Sequence, residues 1–148
     1  MKVGELYWSV VEPVWDDIDI YEGPERFLQT FNDAPKHAAL LFAAHFCQSE
    51  ICNGGFQQFF FNNTGVLAPE AIQAFRALGM GHVADIVQKA SERLASPYPR
   101  DRVERQDMLE TLPSEFFDDL NQQFYKRIEE ENGGFREAAD AYAKRALN

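Results

Sequence analysis

The stretch Ala38-Ala39-Leu40-Leu41-Phe42-Ala43-Ala44-His45-Phe46-Cys47 holds one strongly polar side chain, His45. A helix built on it is apolar around nearly its whole circumference and must be enclosed by others. Pro35 stands where such a helix can begin, because the first turn has no use for its missing amide proton. Asn53 and Gly54 supply residues that tolerate the left-handed conformation at a helix end. The expectation is a central helix over about 35–53. Its apolar run is about half of the roughly 20 residues that cross a bilayer, so it reads as protein core.

Helical periodicity continues on both sides, and no sustained alternation marks a half-buried strand. Val83, Ile86, Val87, Ala90 and Leu94 form one stripe, Phe117, Leu120, Phe124 and Ile128 a second, and Phe135, Ala138, Ala139, Tyr142 and Ala146 a third. Pro24, Pro69 and Pro113 each precede a periodic run, and Gly65 and Gly79 each follow one. The reading is all-α, with helices near 4–20, 24–32, 35–53, 55–63, 68–79, 81–95, 101–112, 114–131 and 134–147. Residues 1–148 form one domain, because the segments around the stiff Ser96-Pro97-Tyr98-Pro99-Arg100 stretch are too short to bury separate cores. Cys47 and Cys52, five apart in an apolar stretch, read as small buried hydrophobes of a reducing compartment. A cytoplasmic location is expected.

The net charge of −10 is concentrated. Residues 1–33 carry eight acids against two bases and residues 101–131 carry ten against four, while the remaining segments are each +1. Such a chain repels nucleic acid and anionic membrane surfaces, and its natural complement is a basic protein. On a regular helix over 4–20, Glu5, Glu12, Asp16 and Asp19 share one face, opposite Tyr7, Val10, Val11, Val14 and Ile18. Like charges four apart, such as Glu12 and Asp16, cost a few tenths of a kcal/mol (about 0.2–0.5), so a stripe of them points to a use. Glu115, Asp118 and Asp119 extend the candidate partner-binding set, with the run Glu129-Glu130-Glu131 beyond them. A further series, Asp101, Glu104, Asp107 and Glu110, is interleaved with Arg102 and Arg105. Pairs such as Asp101 with Arg105 would partly neutralise it.

Catalytic arrangements are missing from the sequence. His37, His45 and His82 are the only histidines, and none makes the His-Glu-x-x-His pattern of a zinc protease. There is no phosphate loop, no nucleophile-elbow serine and no cysteine with an evident base. No catalytic residue, metal ligand or cofactor is assigned. Three consecutive rings, Phe59-Phe60-Phe61, cannot all face one core; either the helix is buried on several sides or one ring serves an interface. Trp8 and Trp15 sit at the edge of the first helix's apolar face.

One motif has its own logic. In Glu50-Ile51-Cys52-Asn53-Gly54-Gly55-Phe56-Gln57 the glycines allow a tight joint, Phe56 anchors the next helix, and Glu50 can accept from the amides that open that helix. The string Glu-x-x-Asn-Gly-Gly-Phe returns at Glu129 to Phe135, without further similarity around it. No lysine or arginine lies near the first copy to support an anion site. Together with Asn62, Gly65 and the ending Ala77-Leu78-Gly79, this core resembles a bacterial domain-of-unknown-function family over about 25–112. That family includes an acidic Neisseria DNA-mimic protein, which binds a transcription factor in place of DNA. The resemblance implies an all-helical fold and a homodimer, and it makes mimicry the leading reading: an acidic module on the basic surface of a DNA-binding regulator, acting in transcription regulation. The alternatives are an immunity-type protein that neutralises a basic toxin, and a small-ligand-binding protein or enzyme centred on Glu50, Asn53, Gly54, Gly55 and Phe56, with His45.

Overall fold

A computed structural model describes all residues from Met1 to Asn148. It contains eight α-helices and no strand: α1 (Glu5–Val11), α2 (Pro24–Asp33), α3 (Lys36–Phe61), α4 (Ala68–Ala77), α5 (Gly81–Leu94), α6 (Arg102–Glu110), α7 (Asp118–Glu130) and α8 (Phe135–Leu147). The central helix lies where its composition demands. Ala38 to Ala44, Cys47 and Ile51 are all buried, and α1, α2, α4, α6, α7 and α8 all pack on α3. One continuous core of 42 residues results, with the stripes of α5 and α7 and, except for Ala146 in the last turn, that of α8 facing into it. The helices expected at 35–53 and 55–63 are two segments of α3, joined at Gly54-Gly55 without an intervening loop.

The first helix differs most from expectation. It ends at Val11, and Glu12–Val14 forms a single 3₁₀ turn around Pro13. Proline has no N–H for the carbonyl one turn back, so the α-helix stops before it. Tyr7, Val11, Val14 and Ile18 are nevertheless buried, so the apolar periodicity is met by a helix, a turn and an irregular segment in succession. Asp140 on α8 fixes this N-terminal piece: its carboxylate accepts from Gly4 N (2.6 Å) and Tyr7 N (3.0 Å) at the start of α1. α7 begins at Asp118, later than the expected 114. Cys47 is buried as expected, but Cys52 is exposed.

The C-terminal end of α3 is closed by α6. Arg105 has no exposed surface, and its guanidinium donates from Nε to Phe60 O (2.8 Å) and from Nη2 to Asn62 O (3.0 Å). Its Nη1 donates to Arg100 O and, at 3.4 Å, to Pro99 O. Arg102 Nε (3.0 Å) and Gln106 Nε2 (3.2 Å) both donate to Phe61 O. Orphan carbonyls and the negative dipole end of α3 thus meet positive donors. A Cβ at Gly65 would stand 2.7 Å from Arg105 Nε, so only glycine admits the guanidinium there. Ser96 to Arg100 is a strap across this region: Tyr98 Oη donates to Gly65 O (2.6 Å), and Arg100 pairs with Glu70 through two 2.9 Å bonds.

Replacing Arg105 with leucine leaves several buried carbonyls unpaired. Arg105→Leu is expected to cost about 3–5 kcal/mol, read as a lowered urea midpoint at unchanged slope. Arg105→Lys recovers only part, because one ammonium cannot reproduce the planar fork.

Candidate functional site

The Asn-Gly-Gly-Phe joint sits inside α3. Gly54 adopts φ −149°, ψ 17°, and Gly55 φ 76°, ψ −177°. Gly55 is required twice over, since its φ is positive and a Cβ there would fall 2.8 Å from Asn121 Nδ2. The segment after the joint starts at Phe56, whose N–H donates to Asn121 Oδ1 on α7 (2.8 Å). Asn121 Nδ2 donates in turn to Gln57 Oε1 (3.1 Å). The opening amide is therefore satisfied by Asn121, and the expectation that Glu50 would take this role is corrected. Phe56 is fully buried, so its amide faces the interior, beyond the reach of a half-exposed Glu50.

Glu50 spans the joint on its outer side. Its Oε2 accepts from Gln58 Nε2 (2.6 Å) and Asn62 Nδ2 (3.2 Å), while Asn53 Nδ2 donates to Gln58 Oε1 (3.2 Å). The motif residues thus come together as one polar network across two helical segments. His45 stands apart from it: its Nδ1 meets Tyr7 Oη at 3.0 Å, and its ring lies among Trp8, Trp15 and Phe46. Burial lowers the His45 pKa.

The second copy of the string is built differently. Asn132 has φ 52°, and Gly133 and Gly134 follow with φ 87° and 94°, so the chain makes a true loop between α7 and α8. Asn132 Nδ2 donates to Leu78 O at the end of α4 (2.8 Å). The Glu131 carboxylate accepts from His82 N and Val83 N at the start of α5 (2.9 Å each). Glu131 thus caps α5 and does not extend the acidic surface.

The N-terminal acids do not form the expected stripe, because no regular helix spans 4–20. Glu5 opens α1, Glu12 lies in the 3₁₀ turn, and Asp16 and Asp19 follow in an irregular segment. Asp19 is folded onto its own loop, where Oδ1 accepts from Tyr21 N (2.7 Å) and Glu22 N (3.2 Å). The bond from Tyr21 N, foremost, holds its carboxyl below the usual range. Asp16, Asp17, Asp19 and Glu22 instead rim a cleft of about 430 Å³ above Trp15 and Phe46.

The second acidic segment carries more unpaired charge than its interleaved arginines imply. Arg105 faces inward and Arg102 binds Phe61 O, so the expected pairing of Asp101 with Arg105 does not form. Asp101 instead caps α6 by accepting from Glu104 N (3.1 Å). Glu104, Asp107 and Glu110, spaced by three, are left exposed without an ion pair, as are Glu115 and Asp118. Asp119 differs: Arg93 grips it with bonds of 2.7 and 3.1 Å, which lower its pKa.

Asn121→Ala unpairs a buried amide and is expected to cost about 1–3 kcal/mol, measurable by urea unfolding. His45 makes stability depend on pH. Its folded pKa lies below that of the unfolded chain, so as pH falls from about 7 toward 5 the unfolded chain takes up the proton more readily and stability drops. In His45→Gln the difference between urea midpoints at the two pH values should shrink.

No helix is long and apolar enough to cross a membrane. Comparison with curated proteins and with solved structures gives no match. The DMP19-like protein family matches residues 32–146, a span that starts after all the N-terminal acids but Asp33 and reaches the last turn of α8, beyond the 112 at which the motif resemblance ended. The all-helical architecture, the glycine joint of α3 and this match over most of the chain agree: the protein belongs to the DMP19-like family.

Proposed function

We propose that the chain is an acidic protein-binding module that occupies the basic surface of a DNA-binding regulator in place of DNA. The observation that carries this reading is the sorting of charge on α6. Arg105 is buried against internal carbonyls and Arg102 donates to Phe61 O, while Glu104, Asp107 and Glu110 face solvent without an ion pair. Residues three apart on a helix are separated by about 4.5 Å along its axis, the same order as the roughly 3.4 Å axial repeat of phosphates on one DNA strand. Glu115 and Asp118 continue the series into α7.

Charge elsewhere is consistent with the same role. Only four of the 24 acidic side chains stand in an ion pair with lysine or arginine. The α6 acids lie within the span that matches the family, whereas Glu5, Glu12, Asp16 and Asp19 precede it. The proposed main partner surface is α6 and the start of α7, with Glu5, Glu12 and Asp16 as secondary contacts. Asp19 and Asp119 are already committed to internal partners. Association would be steered at long range by the negative field and would weaken as salt rises.

The test is displacement of a labelled operator duplex from a basic DNA-binding regulator of the same cell. The unmodified chain should release DNA at low salt, with release declining as salt increases. Glu104→Gln, Asp107→Asn and Glu110→Gln combined should weaken binding about tenfold and flatten the salt dependence, with circular dichroism unchanged. Displacement that ignores these three charges would remove the reading.

A further inference from the structure

An open cleft of about 400 Å³ lies between the second segment of α3 and the α6–α7 connection, formed chiefly by Phe61, Leu109, Leu112, Pro113 and Phe116. Phe61 is 49 % exposed on the last turn of α3, with the Arg102 guanidinium 5.8 Å from its ring centre. The polar side chains along the cleft are already occupied. Gln57 donates to Ser114 O and accepts from Asn121; Gln58 is held by Glu50 and Asn53; Asn62 donates to Glu50. A polar ligand finds few free partners on this floor, and recognition there is apolar.

The surroundings decide what kind of apolar group would enter. Ser114 Oγ donates to Glu115 Oε2 (3.0 Å), which places that carboxylate on the rim. Glu110 adjoins Leu109 on α6, and Glu50 reaches the cleft through Gln58 and Asn62. The adjacent arginine, Arg102, is held by Phe61 O and over the Phe61 ring and pairs with no acid of the rim. A second copy of this chain would bring the same acids against these, and nucleic acid would be repelled.

We infer that this cleft is the anchoring point for the basic partner: it takes bulky apolar side chains from a cationic amphipathic segment whose lysines and arginines lie against Glu110 and Glu115. The inference rests on the proposed function and adds to it. Charge steers the partner, and an apolar anchor beside Glu110 and Glu115 supplies the contact that persists, as in helix-in-groove recognition.

Three synthetic peptides test this on the full chain, by fluorescence anisotropy and by methyl NMR of Leu109 and Leu112. One is a cationic helix with a Leu/Phe face, the second keeps its charges with serine at those apolar positions, and the third replaces its lysines and arginines with glutamate. The first should bind about thirtyfold more tightly than the second, shift both leucine signals and outcompete the third. Phe61→Ser, at a half-exposed site, should reduce the first to the level of the second and leave the second unaffected. Equal binding of the first two overturns the anchor while sparing charge-based mimicry, which the DNA displacement assay reads separately. Binding of the acidic peptide as tightly as the cationic one, absence of leucine shifts, or a dimer of the free chain abolished by Phe61→Ser also overturns it.

Discussion

The guanidinium of Arg105, buried against the C-terminal carbonyls of α3, is the interaction on which most else depends. A helix ends with carbonyls that have no partner within it and with the negative pole of its dipole. At the end of α3 Phe60 is buried, so water cannot meet that need there, and α6 supplies Arg105 to Phe60 and Asn62 and, at the exposed edge, Arg102 and Gln106 to Phe61. Burial disfavours the charge on Arg105 and is the foremost cause lowering its pKa. Arginine remains protonated there because its intrinsic pKa is so high. The same demand explains Gly65, whose missing side chain makes room, and the Tyr98 to Arg100 strap that closes the other side.

This internal constraint shapes the outer surface. A helix that buries Arg105 and ties Arg102 to the end of α3 leaves its acidic residues without an ion pair, so α6 presents Glu104, Asp107 and Glu110 to solvent. The glycine joint sets the other wall of the same region. Because Asn121 takes the first amide after Gly55, the second segment of α3 is held against α7, and Phe61 emerges beside the α6–α7 connection. Fold stability and candidate recognition surface therefore share residues from α3 and α6.

Much of the fold was legible because burial imposes periodicity. The all-round apolar character of Ala38 to Cys47 identified the central helix, and the stripes of α5, α7 and α8 read directly as buried faces. The first helix misled for the same reason: Tyr7, Val11, Val14 and Ile18 keep helical spacing and are buried, yet Pro13 breaks the backbone between them. Spacing reports which side chains go inside, not whether the backbone stays regular. Side-chain direction was less legible still. Asp101 and Arg105 have the spacing of an intrahelical pair, and nothing local reveals that α3 needs the arginine more. Asn121 did leave a trace, as a polar residue in line with Phe117, Phe124 and Ile128, where only a satisfied side chain can be buried. The two Asn-Gly-Gly-Phe strings look alike as letters but differ as structures, because Asn53 stays helical while Asn132 turns left-handed.

The two acidic segments have equal net charge and different physical origins. Around Trp15 the backbone itself is irregular, and Asp19 is consumed in holding its loop together. On α6 the acids remain without an ion pair because an interior requirement has buried Arg105 and Phe61 O holds Arg102. Acidity that served solubility alone would be met by interspersed charges of both signs, and the sequence of α6 has that interspersed pattern until folding separates the signs. The charge that a partner meets on α6 is thus set less by the total of −10 than by the partners that hold Arg105 and Arg102. Those partners are the carbonyls that end α3.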